Sequence, residues 1–151
     1  MIRHALVAAA CGALMMTAGC NRAADDTAAN DGGDAGVETA TAPLAVDEIR
    51  VGTAIGSDRQ VTTESDAFRP SDTIYASVRT TGTAQNATLV ARWTYQDGQV
   101  VNEETQTIAP SGVETTEFHI SNPNGWPTGD YKLTVLLDGR EVGSKDFEVG
   151  S

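Results

Sequence analysis

Cysteine is nearly missing from this chain. Of 151 residues only Cys11 and Cys20 are cysteine, and both fall within the first 20 positions. A disulfide-stapled scaffold and a cysteine-ligated zinc site are therefore excluded for everything downstream. Stability there has to come from an ordinary hydrophobic core. Basic residues are scarce as well: 10 Lys and Arg stand against 21 Asp and Glu, a formal charge of −11. Such a surface repels phosphate backbones, and no basic stripe interrupts it, so nucleic acid is not an expected partner. Electrostatic docking on anionic headgroups is disfavoured for the same reason, and the charge reads as a device for solubility. The apolar run Ala5–Met16 stops at 12 residues, short of the roughly 20 that a spanning helix needs.

The first 20 residues, MIRHALVAAACGALMMTAGC, hold a positive start at Arg3, then that apolar run, then small residues. This is the order of an export signal. Thr17-Ala18-Gly19-Cys20 resembles a bacterial lipobox, with Thr17 where Leu is usual and apolar character kept by Leu14, Met15 and Met16. The resemblance implies that Thr17, Ala18 and Gly19 are read by the lipoprotein signal peptidase. It implies removal of residues 1–19 and acylation of Cys20, leaving 21 acids against 9 bases. Two or more acyl chains anchor a protein stably, at about 0.8 kcal/mol per buried CH₂. A plain secretory leader is the competing reading. Asn21, rather than Asp, follows the cysteine. By the same resemblance this favours the outer membrane, periplasmic or surface face, over the inner one.

Residues 20–45 carry Ala, Asp, Gly and Thr without one aromatic. So little apolar surface cannot offset the entropy of ordering, and a flexible tether is expected, typically about 25–30 Å in span. DDTAANDGGD within it lacks the register of a calcium loop.

From residue 46 to 151 the texture becomes short alternating runs. TIYASVRT sets Ile74, Ala76 and Val78 against Tyr75, Ser77 and Arg79. ATLVARWTYQ groups Leu89, Ala91, Trp93 and Tyr95; DYKLTVLL groups Tyr131, Leu133, Val135 and Leu137. EIRVGTAI places Ile49, Val51 and Ile55 on one face, and ETTEFHIS turns Phe118 and Ile120 inward. Period two with turn residues between runs predicts an all-β chain. Asp138-Gly139 marks a tight hairpin. The odd spacing of Val142 and Phe147 marks a bulge near Gly143. The sum is an antiparallel β-sandwich of seven or eight strands.

Trp93 in mid-strand, PTGDY (Pro127–Tyr131) and the final hairpin resemble an immunoglobulin-like or fibronectin type III-like domain over about residues 46–149. The resemblance implies a core tryptophan and a tyrosine corner, in which Tyr131 ties back to the preceding loop. The antibody-type inter-sheet disulfide is missing.

Catalytic chemistry is hard to assemble from what remains. His119 alternates outward between Phe118 and Ile120, and no nucleophile elbow accompanies it. Ser111-Gly112 after Pro110 is turn chemistry. Glu103, Glu104, Glu114 and Glu117 offer carboxylates, but a compact sandwich has little material for a glycosidase cleft. NDGGDAG lacks the lysine of a phosphate loop. No catalytic residue, metal site or cofactor is assigned. Two residues suggest a contact surface: Trp126, in the loop NPNGWP, and Tyr75, outward on its strand. For Trp126 the competing reading is a cap over the open end of the sandwich. The expected function is a non-enzymatic module, anchored at Cys20, that binds an envelope protein or glycan. The alternatives are a hydrolase inhibitor, a small hydrolase, or one piece of a larger envelope machine that pairs through its edge strands.

Overall fold

A computed structural model of the chain describes residues 42–150. The expected leader, Cys20 and the expected tether up to residue 41 lie outside the described residues. Nine strands and no helix follow: β1 Ala45–Ile55, β2 Val61–Glu64, β3 Ala67–Phe68, β4 Ile74–Thr81, β5 Ala87–Tyr95, β6 Gln99–Ile108, β7 Glu114–Ile120, β8 Gly129–Leu137 and β9 Arg140–Val149. They form two sheets, ordered β2-β1-β4-β7 and β3-β9-β8-β5-β6. The fold is an immunoglobulin-like β-sandwich. The count exceeds seven or eight because β2 and β3 are fragments either side of a switch between sheets. Every strand pairing is antiparallel except β3 with β9. β1 starts at Ala45, and Pro43 bridges to Thr83, so pairing reaches into the last residues the sequence assigns to the tether.

The core follows from period two. Ile74, Ala76 and Val78 of β4 are fully buried, as are Leu89, Ala91 and Trp93 of β5, Phe118 of β7, and Leu133 and Val135 of β8. Each strand lays alternate side chains on the shared interior, and removing them from water is the main source of stability. Trp93 packs edge-on to Phe147 with ring centroids 5.9 Å apart, and Phe147 packs edge-on to Phe68 at 5.3 Å.

The turns follow from backbone chemistry. Asp138 and Gly139 adopt φ of 49° and 79°, the left-handed pair of a type I′ hairpin that matches strand twist. The Asp138 carboxylate accepts the Thr88 N–H at 2.8 Å, and the Asp138 N–H donates to the Thr88 carbonyl at 2.8 Å. The same residues thus close the hairpin and tie it to β5. The bulge near Gly143 is present: Leu136 opposes Glu141 and Val135 opposes Gly143, which leaves Val142 without an opposite residue. Val142 is accordingly exposed.

β1 departs from the sequence reading. Its register slips between Val46 and Glu48 and again between Gly52 and Ile55. Each slip inverts the alternation downstream of it. The first slip lets Val46, Ile49 and Val51 all meet the core, while Ile55, past the end of the β4 pairing and opposite Val61 of β2, falls outside it. Gly52 is where β2 comes closest. A Cβ there would lie 2.0 Å from the Thr63 carbonyl oxygen and 2.5 Å from Val61 Cγ1. Val61 is buried yet outside the main core cluster. Its N–H donates to Ser77 Oγ at 3.2 Å, which buries a serine that alternation alone places in water.

Candidate functional site

The outer face of the four-stranded sheet carries most of the polar side chains that the sequence singles out. Tyr75 opposes Gly52 on one side and His119 on the other. The Tyr75 and His119 rings lie 5.7 Å apart, tilted by 39°. His119 Nδ1 is 2.9 Å from Glu117 Oε1, and the imidazole is 56% exposed. Tyr75 thus stands where the sequence places it, beside a histidine the sequence had not linked to it. The link is non-local: it depends on the β4–β7 register, which no short stretch contains.

One step along the same face, Arg50 donates to Glu48 at 2.7 Å, and its Nε lies 3.3 Å from Glu64. Arg79 approaches Asp47 at 3.6 Å. The hydrogen bond from Arg50 holds the Glu48 carboxyl below its usual value against a weaker opposing desolvation, and the same bond raises the guanidinium. These exposed pairs add little stability, but they fix the side chains of the β1 side of the face.

Three of the four carboxylates weighed and set aside above as a glycosidase pair are engaged separately. Glu103 accepts from Arg92 at 2.6 Å, Glu104 accepts from Gln106 at 3.0 Å, and Glu117 holds His119. Gln106 also donates to the Glu117 main-chain carbonyl at 2.8 Å. That bond stitches β6, an edge of one sheet, to β7, an edge of the other. Among the described residues no group of three or more His, Cys, Asp or Glu side chains is placed to hold a metal ion.

Trp126 needs correction as a contact residue. Its side chain is only 8% exposed. The indole N–H donates to the Asp72 carbonyl at 3.1 Å, the main-chain N–H donates to the Pro70 carbonyl at 2.8 Å, and the ring meets Tyr131 edge-on. With both N–H groups satisfied indoors, the residue caps the end of the sandwich. Cys20 and its flanking Thr17, Ala18 and Gly19 lie outside the described residues.

The loop beneath Trp126 is braced by two tyrosines. Tyr131 Oη donates to the Pro127 carbonyl at 2.8 Å, four residues back, which is the tyrosine corner. Tyr95 Oη donates to the Thr128 carbonyl at 3.0 Å, and its ring lies 4.8 Å from that of Tyr131. Burial, and secondarily Tyr95, raises the Tyr131 phenol above its ordinary value of 10.0. A raised folded-state value means that the neutral phenol belongs to the fold. Its contribution is complete below about pH 10 and is lost as pH climbs through the folded-state value. Tyr131→Phe is expected to cost about 1 kcal/mol at neutral pH through the lost hydrogen bond. The gap between wild type and variant should narrow above pH 10. Urea melts at neutral and alkaline pH check this, and a constant gap would contradict it.

No family model matches the sequence, and comparison with curated proteins finds no match. Solved structures match in part. An immunoglobulin-like protein from Pseudomonas aeruginosa is 17% identical, with a TM-score of 0.49, over 74% of this chain and 99% of that one. The CARDB domain of a Pyrococcus furiosus protein, solved in complex with di-metal ions, is 13% identical, with a TM-score of 0.46, over 74% and 89%. A β-glucosidase from intestinal bacteria is 20% identical, with a TM-score of 0.47, over 74% of this chain but only 16% of the enzyme. At these identities the matches bring no activity with them.

Proposed function

We propose that the chain is an envelope lipoprotein, held to a bilayer through acyl groups on Cys20, whose sandwich binds a protein or glycan partner and does no chemistry of its own. The observation that supports the binding reading is the placement of aromatics. Phe68, Trp93, Phe118, Trp126, Tyr131 and Phe147 are buried, and Tyr95 is half-buried and braces a loop. Tyr75, also half-buried but not packed against the core, is the one of these aromatics on an outer sheet face, ring to ring with exposed His119. An aromatic the core does not use is the kind of side chain that anchors a partner surface or stacks on a sugar. The export signal and the lipobox-like Thr17–Cys20 support the anchor.

A photo-crosslinking phenylalanine analogue at position 75, in intact cells, tests the binding reading. A discrete crosslinked product is expected, together with its loss when the analogue is moved to Gln99 at the rim. Products identical at both positions would remove the reading. Labelled fatty acid should attach to the wild type and not to Cys20→Ser. Substrate turnover, or inhibition of an envelope protease or glycosidase, would move the reading to the enzyme or inhibitor class.

A further inference from the structure

Strand β3 covers only the end of β9. Ala67 opposes Glu148 and Phe68 opposes Val149. The Glu148 N–H donates to the Asp66 carbonyl at 2.8 Å and the Gly150 N–H to the Phe68 carbonyl at 2.9 Å. Alternate residues of a strand aim their main-chain groups the same way. The N–H and C=O of Ser144 and Asp146 therefore continue this row, away from β8. No described strand lies against them. The chain that would have done so, upstream of Asp66, has crossed to the other sheet as β2. The gap has a definite far end. A Cβ on Gly143 would meet Ile49 Cδ1 at 2.7 Å, so the sheets close together there.

Two adjoining depressions of about 410 and 340 Å³ open along this unpaired stretch. Their walls carry Asp47, Glu48, Glu64, Asp66 and Asp146 against Arg50 and Lys145. Arg79 and Lys132 also reach Asp47 and Asp146 at 3.6 and 3.3 Å, so a small acidic excess remains, and Asp66 is in no ion pair among the described residues. Arg50 is already held by Glu48 and Glu64. The opposite side of the sandwich differs: there Gln106 bridges β6 to β7. The free edge and the acidic slot thus coincide on one side only.

The charge selects the occupant. The chain's own segment 21–41 carries Asp25, Asp26, Asp31, Asp34 and Glu38 against Arg22 alone, and a second copy would bring the same acidic walls. We propose that Ser144–Phe147 of β9 accepts an extended, Lys- or Arg-bearing segment of a partner protein as an added strand. This rests on reading the domain as a binding module, and it names the edge and the partner's charge. Lys145 shares the core-facing side of the strand with buried Phe147 and lines both depressions. An inward lysine hinders indiscriminate pairing at an edge. Here it sets register, since a basic side chain directly against it is repelled.

The test uses the full chain in non-ionic detergent and a labelled eight-residue peptide of alternating Lys and Val. Saturable binding is expected, weakening about tenfold as salt rises to roughly 0.5 M. Amide shifts should concentrate at Ser144, Lys145 and Asp146. Asp66→Asn should weaken binding, and Lys145→Ala should strengthen it. N-methylation of alternate peptide residues removes the strand-pairing donors without touching the protein, and it should abolish binding. Equal affinity for the N-methylated peptide or for a Glu-Val peptide would overturn the proposal. So would shifts confined to Tyr75 and His119, or a stable dimer paired through β9. Peptide failure with the position-75 crosslink intact removes this proposal and leaves the binding module standing.

Discussion

Trp93→Ala is expected to lower stability by about 3–5 kcal/mol, the range for truncating a fully buried large aromatic. Trp93 has no exposed surface and lies in mid-β5, opposite Leu133 of β8 and Asn102 of β6. Its ring meets Phe147 of β9 edge-on, so one side chain ties together three of the strands of its sheet. The cavity would be lined chiefly by β5 and β8, each paired on both sides, so their backbone cannot collapse into it, which places the cost toward the top of the range. A domain of this size has about 5–15 kcal/mol in total, so the variant should be partly unfolded at physiological temperature. The indole N–H has no hydrogen-bond partner among the described residues. Trp93→Phe should therefore cost distinctly less, since it deletes that donor along with only part of the volume. Urea unfolding followed by circular dichroism measures both. An alanine variant within 1 kcal/mol of wild type would mean that Trp93 does not hold the core.

Gly52→Ala should have the second largest effect, at or above the upper end of the roughly 1–3 kcal/mol typical of overpacking. One methyl is added, and its nearest neighbour is a main-chain carbonyl, Thr63 O, at 2.0 Å. A side chain could rotate away; a strand cannot. β2 would have to lift from β1, breaking the Val61 to Ser77 hydrogen bond and exposing Val61. The glycine is required for close approach, since its φ is not positive. Hydrogen exchange offers a specific check. Amides of β2 should lose protection in the variant well before those of β5 and β8. A uniform loss, or none, would show that the crossing of β2 over Gly52 is not the reason for the glycine.

How much of this was legible in advance depends on the range of the interaction. Trp93, Phe118 and Leu133 were readable as core because period two is a property of the strand itself. Asp138-Gly139 was readable because few residue pairs tolerate two left-handed positions in succession. The tyrosine corner was readable only through the resemblance of PTGDY to fibronectin type III-like domains, and the bond from Tyr131 to Pro127, four residues back, bears it out. Ile55 was misplaced because β1 runs past the end of β4 there and pairs only with β2, and the length of a pairing leaves no mark in composition. Ser77 was misplaced because its cover, Val61, arrives from 16 residues upstream. Trp126 was open to two readings, contact residue or cap, and Pro70 and Asp72, more than 50 residues earlier, decide for the cap by supplying acceptors for its N–H groups.

By itself the amino-acid order determined an all-β chain, the side chains that face inward, the tight turns and the absence of cysteine from the sandwich. These depend on torsions and alternation within a few residues. Only the tertiary structure decided which aromatic stayed outside, which edge was stitched by Gln106, and where β9 has no neighbouring strand among the described residues. Those outcomes depend on strand order and register, set by the summed packing of strands far apart along the chain.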